Sequence, residues 1–318
     1  MRGLIAVART LRQRGVMGIN ERNAEFSLIY NERRHYPLVD DKLLTKELAL
    51  KAGAAVPRLY GVIEIQHQVG LIPAMVAQYP DFVIKPARGS QGDGILLVTG
   101  RTGENYRLAD GTLIDQQELE FHVSNILSGI FSLGGQTDRA MIEYRVLFDT
   151  VFERITFRGV PDIRIIVFLG VPVMAMVRLP TRAAKGKANL HQGAIGAGID
   201  IASGRTLTAV WHNDIVSEHP DTGNAVQGVQ IPSWDTLLEL AARSYELTGL
   251  GYLGIDIVLD RDLGPLILEL NARPGLNIQL ANRAGLRSRL DAVLARRAGL
   301  QSVAERVAFA REAFAVAA

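Results

Sequence analysis

The chain has 318 residues, of which 48% are hydrophobic, 21% charged and 6% aromatic; this is globular composition and excludes disordered, collagen-like and low-complexity chains. Cysteine is absent, which excludes disulfide frameworks, thiol nucleophiles, cysteine-ligated zinc and iron–sulfur clusters. The net charge of +2 hides +4 over residues 1–34, +4 over 283–318 and −6 between them. The basic ends read as solvated helix faces, with an acidic partner such as nucleic acid, an anionic membrane surface or an acidic peptide as the alternative. The longest apolar stretch, Ile165 to Val177, is broken by Gly170 and Pro172 and is too short to span a bilayer. The run Leu4 to Ala8 between Arg2 and Arg9 is too short for a signal-peptide core. A soluble, cytoplasmic protein is expected.

In chain order, residues 3–14 read as a short basic helix. "DDKLLTKELALKAG" reads as a second helix, with Asp40 or Asp41 as N-cap and Gly53 as stop signal. "RLYGVIEI" reads as a strand, and "FVIKPA" and "GILLV" as a hairpin around the glycine cluster 89–94. A helix over 115–130 and a strand in "AMIEYRVL" follow. "DIRIIVFL", "VPVMAMVRL", "GIDIVLD" and "PLILEL" are β runs with tight Gly- or Pro-containing connections, so neighbours must pair antiparallel. Helices over 233–248 and 286–314 complete an α+β chain with a large antiparallel sheet in its second half.

Two patterns carry chemistry. In "FVIKPARGSQGDGILLV", Lys85 ends a strand and is followed by Gly89, Ser90, Gln91, Gly92 and Gly94. Glycines let backbone N–H groups approach phosphate oxygens, and lysine adds a compact positive charge. The spacing matches neither the P-loop nor the dinucleotide fingerprint, and a plain hairpin loop is the competing reading. In "LGIDIVLDRDLGPLILELNARPG", Asp256 lies on one strand and Glu269 and Asn271 lie two apart on the next, so the latter share a face. A turn near Arg261–Pro265 would bring Asp256 level with them. Two carboxylates and a carboxamide suit Mg²⁺; the alternative is a strand face pointing at solvent.

A glycine hairpin with lysine, then "MIEYRV", then the Asp and Glu-x-Asn hairpin closed by "ARPG", resembles the ATP-grasp superfamily. Together with "DDKLLTKELALKAGAAVPRLYGV", "DIRIIVFLGVPVMAMVR" and "NLHQGAIGAGI", these segments resemble RimK-type α-L-glutamate ligases, in detail the RimK-related homologues. The resemblance covers about residues 40–280. It implies an ATP-grasp fold, two α+β subdomains clasping ATP, with a short basic N-terminal segment (1–40), a subdomain with the glycine-rich hairpin (41–145), a subdomain with the antiparallel sheet and metal ligands (146–285) and a C-terminal helical tail (286–318). It implies an ATP-dependent carboxylate–amine ligase that works through an acyl phosphate and releases ADP and phosphate. By position, Lys42 and Lys85 would contact the α/β-phosphates and Ser90 to Gly94 would close over them. Glu143, Tyr144, Arg145 and Val146 would form the hinge that bonds adenine through its backbone. Asp256, Glu269 and Asn271 would hold two Mg²⁺, with Mn²⁺ as the alternative ion. Arg178 and Asn189 would lie near the γ-phosphate and acyl-phosphate oxygens.

The pattern departs from the family in places. RimK-type ligases carry a substantial domain before the first lysine, whereas 41 residues precede Lys42 here, so the resemblance does not fix the acceptor or glutamate as the added amino acid. An Arg-Ser-Asn run is replaced by Lys187-Ala188-Asn189. Arg273 in "NARPG" would bind a substrate carboxylate or cap the turn. The ribose contact is open between Asp149 and Glu153. Arg145 and Arg164 would line the cleft or pair with strand acids such as Asp162. The six histidines show no i,i+4 metal spacing, and His191 reads as a loop-ordering residue. Expected partners are a small-molecule or peptide acceptor bearing a carboxylate and an amine donor, with no clear nucleic-acid site, no transmembrane segment and the apolar face of the C-terminal helices available for docking or a homo-oligomer. Rival readings are a kinase-like or sugar-transfer-associated ATP-grasp enzyme, a non-catalytic nucleotide-binding module, and an RNA- or membrane-binding protein, the last lacking interleaved aromatics.

Overall fold

The structure is a computed structural model that describes residues 2–89 and 92–316; the expectations for Ser90 and Gln91 lie outside the described residues. In chain order the principal elements are α1 (Arg2–Gln13), α2 (Lys42–Lys51), β1 (Leu59–Ile63), β2 (Phe82–Pro86), β3 (Leu96–Thr102), β4 (Asn105–Leu108), β5 (Leu113–Ile114), α3 (Gln116–Leu127) and β6 (Ala140–Glu143). There follow β7 (Asp162–Phe168), β8 (Val171–Leu179), β9 (Ile195–Ile199), β10 (Thr206–Trp211), β11 (Asp214–Val216), α4 (Trp234–Thr248), β12 (Tyr252–Asp260), β13 (Gly264–Asn271), α5 (Arg287–Arg296) and α6 (Val303–Ala313). Two compact units emerge: Asp41–Glu47 with Val56–Val146, and Met1–Asp40 with Leu48–Ala55 and Leu147–Ala318. The N-terminal segment and the C-terminal helices thus belong to the unit that carries the larger sheet.

The smaller unit is a six-stranded antiparallel sheet in the order β1-β6-β2-β3-β4-β5. Alternation along β2 and β6 sorts its faces. Phe82, Ile84, Ala140 and Ile142 join Leu119, Val123 and Ile126 of α3 in one fully buried cluster. Lys85, Met141 and Glu143 face the opposite way, where Met141 packs with Leu43 and Ala87. Helix α3 starts where the sequence predicts: Asp115 accepts from Glu118 N–H at 2.9 Å and Glu118 reaches back to the Asp115 N–H at 3.0 Å, a reciprocal cap that satisfies two otherwise unpaired donors. Asp41 caps α2, accepting from the Leu43 N–H at 3.0 Å.

The larger unit holds a seven-stranded sheet, β11-β10-β9-β8-β7-β12-β13, antiparallel throughout. The strands β7, β8 and β12 are central and buried on both faces, which is why they read as nearly continuous apolar runs. Helix α4 packs on β7, β8 and β12, and α6 packs on α4 and β8. The β12–β13 hairpin forms as the sequence predicts, with Asp256 directly opposite Glu269. A bulge follows at once, pairing Ile257 with Ile267. Leu268 is the extra residue, and it is only partly buried.

Close packing beside that hairpin depends on Gly254, which sits opposite Asn271. A Cβ there would come within 2.7 Å of Pro274 Cβ, and a proline ring has little freedom to move aside. Gly254→Ala is expected to destabilise by about 1–3 kcal/mol through overpacking, read as a fall in the urea midpoint. Gly275→Ala, with nothing within 4 Å of the added carbon, should change stability by less than about 0.5 kcal/mol.

Candidate active site

In the smaller unit, lysines gather around one carboxylate. Lys85 on β2 and Glu143 on β6 share a sheet face, and their side chains form an ion pair. Lys46, one turn along α2 from Lys42, approaches the other oxygen of Glu143 at 3.0 Å and also donates to the Pro57 carbonyl. Lys46, Lys85 and Glu143 are all buried. Burial alone would raise the Glu143 pKa, but Lys85 and then Lys46 hold it below the usual carboxylate range. Burial pulls Lys46 down, partly offset by Glu143. Two lysines against one ionised glutamate leave a buried excess of one positive charge, which favours an anion.

Lys42 donates from Nζ to the Gly89 carbonyl at 2.6 Å, so the first predicted lysine stands at the base of the glycine loop. Gly92 and Gly94 adopt the positive φ that glycine tolerates. At Gly94 a Cβ would lie 2.6 Å from Phe131 Cγ, while the Gly94 carbonyl meets His122 Nε2 at 2.9 Å. The far side of the loop is therefore seated on α3. In the expected hinge, the Tyr144 N–H donates to the Arg58 carbonyl at 2.8 Å. Arg145 forks onto Asp81 Oδ2 at 2.9 and 2.5 Å, which is a different acid from the strand partner suggested by the sequence.

In the larger unit, adjacent central strands present a charged cluster on one face. Arg178 bridges two carboxylates: Nε and Nη2 reach Asp162 at 2.5 and 2.6 Å, and Nη2 reaches Asp256 Oδ2 at 2.8 Å. Arg164 binds Asp256 bidentately at 2.7 and 2.5 Å. The register explains the set, because Asp162 lies opposite Arg178 and Arg164 opposite Asp256. Asn271 Nδ2 stands 3.4 Å from Asp256 Oδ2 and 3.3 Å from Glu269 Oε1. All three predicted metal ligands are thus brought together. The sequence reading put solvent or a ligand against this face; the structure puts the two guanidiniums there and leaves Asp256 1% exposed.

The donor set fits a hard divalent cation. Among the described residues no three His, Asp or Glu side chains are grouped for a metal, and the cluster here is two carboxylates and a carboxamide. Turning the Asn271 amide about χ2 exchanges its nitrogen and oxygen and presents a third oxygen. Asp256 Oδ1 accepts from Arg164 Nε. Glu269 stands opposite Asp256, whose own charge is met by Arg164 and Arg178, and oxygen donors of this kind are what a hard divalent cation takes.

Asn189 and Arg273 make other contacts. Asn189 caps a short turn by accepting the His191 N–H at 3.0 Å, and this turn adjoins β9. A Cβ on Gly196, the residue opposite Arg178, would lie 2.8 Å from Leu190 Cδ2. Arg273 is exposed, with its guanidinium 5.0 Å from the Tyr36 ring centre. The two ribose candidates also take structural roles: Asp149 accepts the Val151 N–H at 2.8 Å and Glu153 pairs with Arg261 at 2.8 Å. Sequence reasoning missed Lys46, although its i,i+4 spacing from Lys42 was the available signal.

Burial pushes Asp162 up to about 6, with Arg178 offsetting only part of the shift. Burial would also raise Asp256, but Arg164 and then Arg178 overcome it and hold the group below the usual carboxylate range. The signs are opposite. The raised Asp162 contributes stability that is fully present below its ordinary value of 3.8 and lost as pH rises through about 6; the depressed Asp256 contributes stability above that ordinary value and loses it in acid. Asp162→Asn is therefore expected to remove up to about one proton of linkage from the stability profile between about pH 4 and 6. Thermal midpoints against pH for both proteins, without nucleotide or metal, check this.

The model of the sugar-transfer associated ATP-grasp family matches residues 21–295. A probable alpha-L-glutamate ligase of Azotobacter vinelandii (strain DJ / ATCC BAA-1303) is 24% identical over 273 residues, covering 85% of this chain and 64% of the relative. The chain therefore spans slightly less than two thirds of that protein. Solved structures with a similar arrangement include the ATP-grasp ligase PsnB complexed with minimal precursor, Mg and ADP, at 17% identity and a TM-score of 0.46 over 84% of this chain and 61% of that one. Another is the D-alanine-D-alanine ligase from Coxiella burnetii, at 13% identity and a TM-score of 0.43 over 88% and 58%. The superfamily expected from the motifs holds, and the matching family carries the description that the sequence reading kept as a rival. With the family match running through both sheets and most of its length, the chain belongs to the sugar-transfer associated ATP-grasp family.

Proposed function

We propose that the chain is an ATP-dependent carboxylate–amine ligase. The observation that carries this reading is a pair of clusters of complementary chemistry. Lys46 and Lys85 meet at Glu143 and leave one positive charge in the smaller unit, whereas the larger unit gathers Asp256, Glu269 and Asn271 on one sheet face. The first suits phosphate oxygens and the second suits Mg²⁺. Lys42 and Lys85 are assigned to the α/β-phosphates, the glycine loop to backbone donation, and the Glu143–Val146 segment to adenine. Asp256, Glu269 and Asn271 would hold Mg²⁺, which neutralises phosphate charge when bound.

In the proposed reaction a substrate carboxylate oxygen attacks the γ-phosphorus of ATP and ADP leaves. An amine nitrogen then attacks the acyl carbon, phosphate leaves with the C–O electron pair, and the nitrogen gives up a proton. Such chemistry asks the protein for positioning and charge stabilisation rather than for a side-chain nucleophile, which agrees with a chain without cysteine. Arg178 is assigned to transferring-phosphate oxygens, held in orientation by Asp162. Asn189 is assigned to the acyl-phosphate region and Arg273 to a substrate carboxylate. The second reading is the kinase-like or sugar-transfer-associated enzyme, in which phosphoryl transfer leaves phosphate on the acceptor.

A Mg-ATP turnover assay with pooled amino acids and glutamyl peptides, followed by mass, separates the readings. ADP, free phosphate and a product equal to acceptor plus amine minus water are expected; a phosphorylated acceptor would favour the second reading, and intact ATP with every pool would count against both. Glu269→Ala should lower kcat at least about 10²-fold with little change in the thermal midpoint. Lys85→Ala should weaken ATP binding, and unchanged nucleotide affinity would remove its assigned role.

A further inference from the structure

The N-terminal segment brings an unmatched positive charge to the turn that follows the proposed metal ligands. Arg22 is 7% exposed. Its Nη1 donates to the Pro274 carbonyl at 2.7 Å, and Nε and Nη2 donate to Asn23 Oδ1 at 3.1 and 2.9 Å. These acceptors are neutral. The charged or titratable neighbours that influence Arg22 are Tyr252, Arg273 and Tyr36, with no carboxylate among them. Burial depresses the Arg22 pKa and Arg273 adds to the depression.

The surroundings are tied to the same turn. Arg273 directly precedes Pro274 and holds its guanidinium over the Tyr36 ring. Asn31 accepts the Tyr252 N–H at 2.8 Å and donates to the Tyr252 carbonyl at 2.7 Å and the Ala272 carbonyl at 3.3 Å. Tyr252 is fully buried, and its phenolic oxygen has no hydrogen-bond partner among the described residues. Buried hydroxyls are nearly always bonded, and a buried guanidinium normally has a counter-ion. An unspent donor whose charged neighbour is the buried Arg22, itself neighboured by the exposed Arg273, is the chemistry of an anion site.

We propose that Arg22 and Arg273, with the Tyr252 hydroxyl beside Arg22, bind a non-reacting carboxylate of a substrate. The assignment to a non-reacting group rests on the ligase reading. A carboxylate gripped by two guanidiniums is a poor nucleophile, so the one that attacks phosphorus must be another. The substrate class is then an α-amino acid, whose carboxylate stands beside the reacting amine, or a dicarboxylate acceptor. The N-terminal segment is the source of Arg22 and Tyr36, so it serves as part of substrate recognition as well as packing.

The test uses the full chain, with thermal midpoints and calorimetric titration against glutarate, L-alanine, inorganic phosphate and, separately, Mg-ADP. A saturable response to glutarate or L-alanine is expected, the responding compound naming the source of the carboxylate. Arg273→Gln should weaken that response about tenfold, and Arg22→Gln by a similar factor. Tyr252→Phe, which keeps the ring packed against Phe26 and Phe168, should weaken it several-fold without a lower midpoint. All three should keep wild-type affinity for Mg-ADP. The site is overturned if neither carboxylate binds, if phosphate alone binds, or if Arg273→Gln binds as tightly as wild type. Failure of the ligase reading would appear elsewhere, as intact ATP in the turnover assay, and would leave this titration unaffected.

Discussion

Asp162 and Asp256 share one face of the larger sheet with Arg164 and Arg178, and the fold depends on the mutual neutralisation of these four groups. Asp256 sits in a strand buried on both faces, where an isolated carboxylate would be strongly disfavoured. The two guanidiniums make its burial tolerable and fix its orientation through forked, charge-assisted bonds. The same bonds hold together the three antiparallel strands on which the groups lie. The network that permits the sheet to close also brings two carboxylates and a carboxamide to one point.

The smaller unit solves the inverse problem. Glu143 is buried at the end of a central strand, and two lysines from different elements converge on it. This cluster is not internally balanced, because one positive charge is left over. Salt bridges placed only for stability have no reason to leave such a remainder, since hydrophobic replacement of a buried ion pair is often neutral or favourable. Residual positive charge on buried, rigidly held groups is what a site for a phosphate-bearing ligand requires.

Much of this was legible in the sequence, for local reasons. The Glu-x-Asn spacing fixes two side chains on one strand face, and the short turn fixes Asp256 opposite Glu269. The prediction survived the bulge because the extra residue, Leu268, falls just beyond that pair. The glycine hairpin and the N-cap of α2 were readable for the same reason, since spacing and turn chemistry decide them. The arginine network was less accessible. Which acids Arg164 and Arg178 meet depends on strand order and register, and a register shift between Ile166 and Val167 is not encoded in any local pattern. Lys46 had a helical spacing signal, but its partner Glu143 lies on a distant strand. The Arg22 contact with Pro274 joins residues 252 apart, and no periodicity points to it.

The central claim is that the oxygen donors of Asp256, Glu269 and Asn271 are gathered for a divalent cation that accompanies a nucleotide. Calorimetric titration of ADP into the full chain, with and without Mg²⁺ and repeated on Glu269→Gln, addresses it most directly. The account predicts that Mg²⁺ tightens ADP binding in the wild-type chain and that this gain is lost in the variant, while Mg²⁺-free binding stays the same. ADP affinity indifferent to Mg²⁺, or a gain that survives intact in Glu269→Gln, would contradict it.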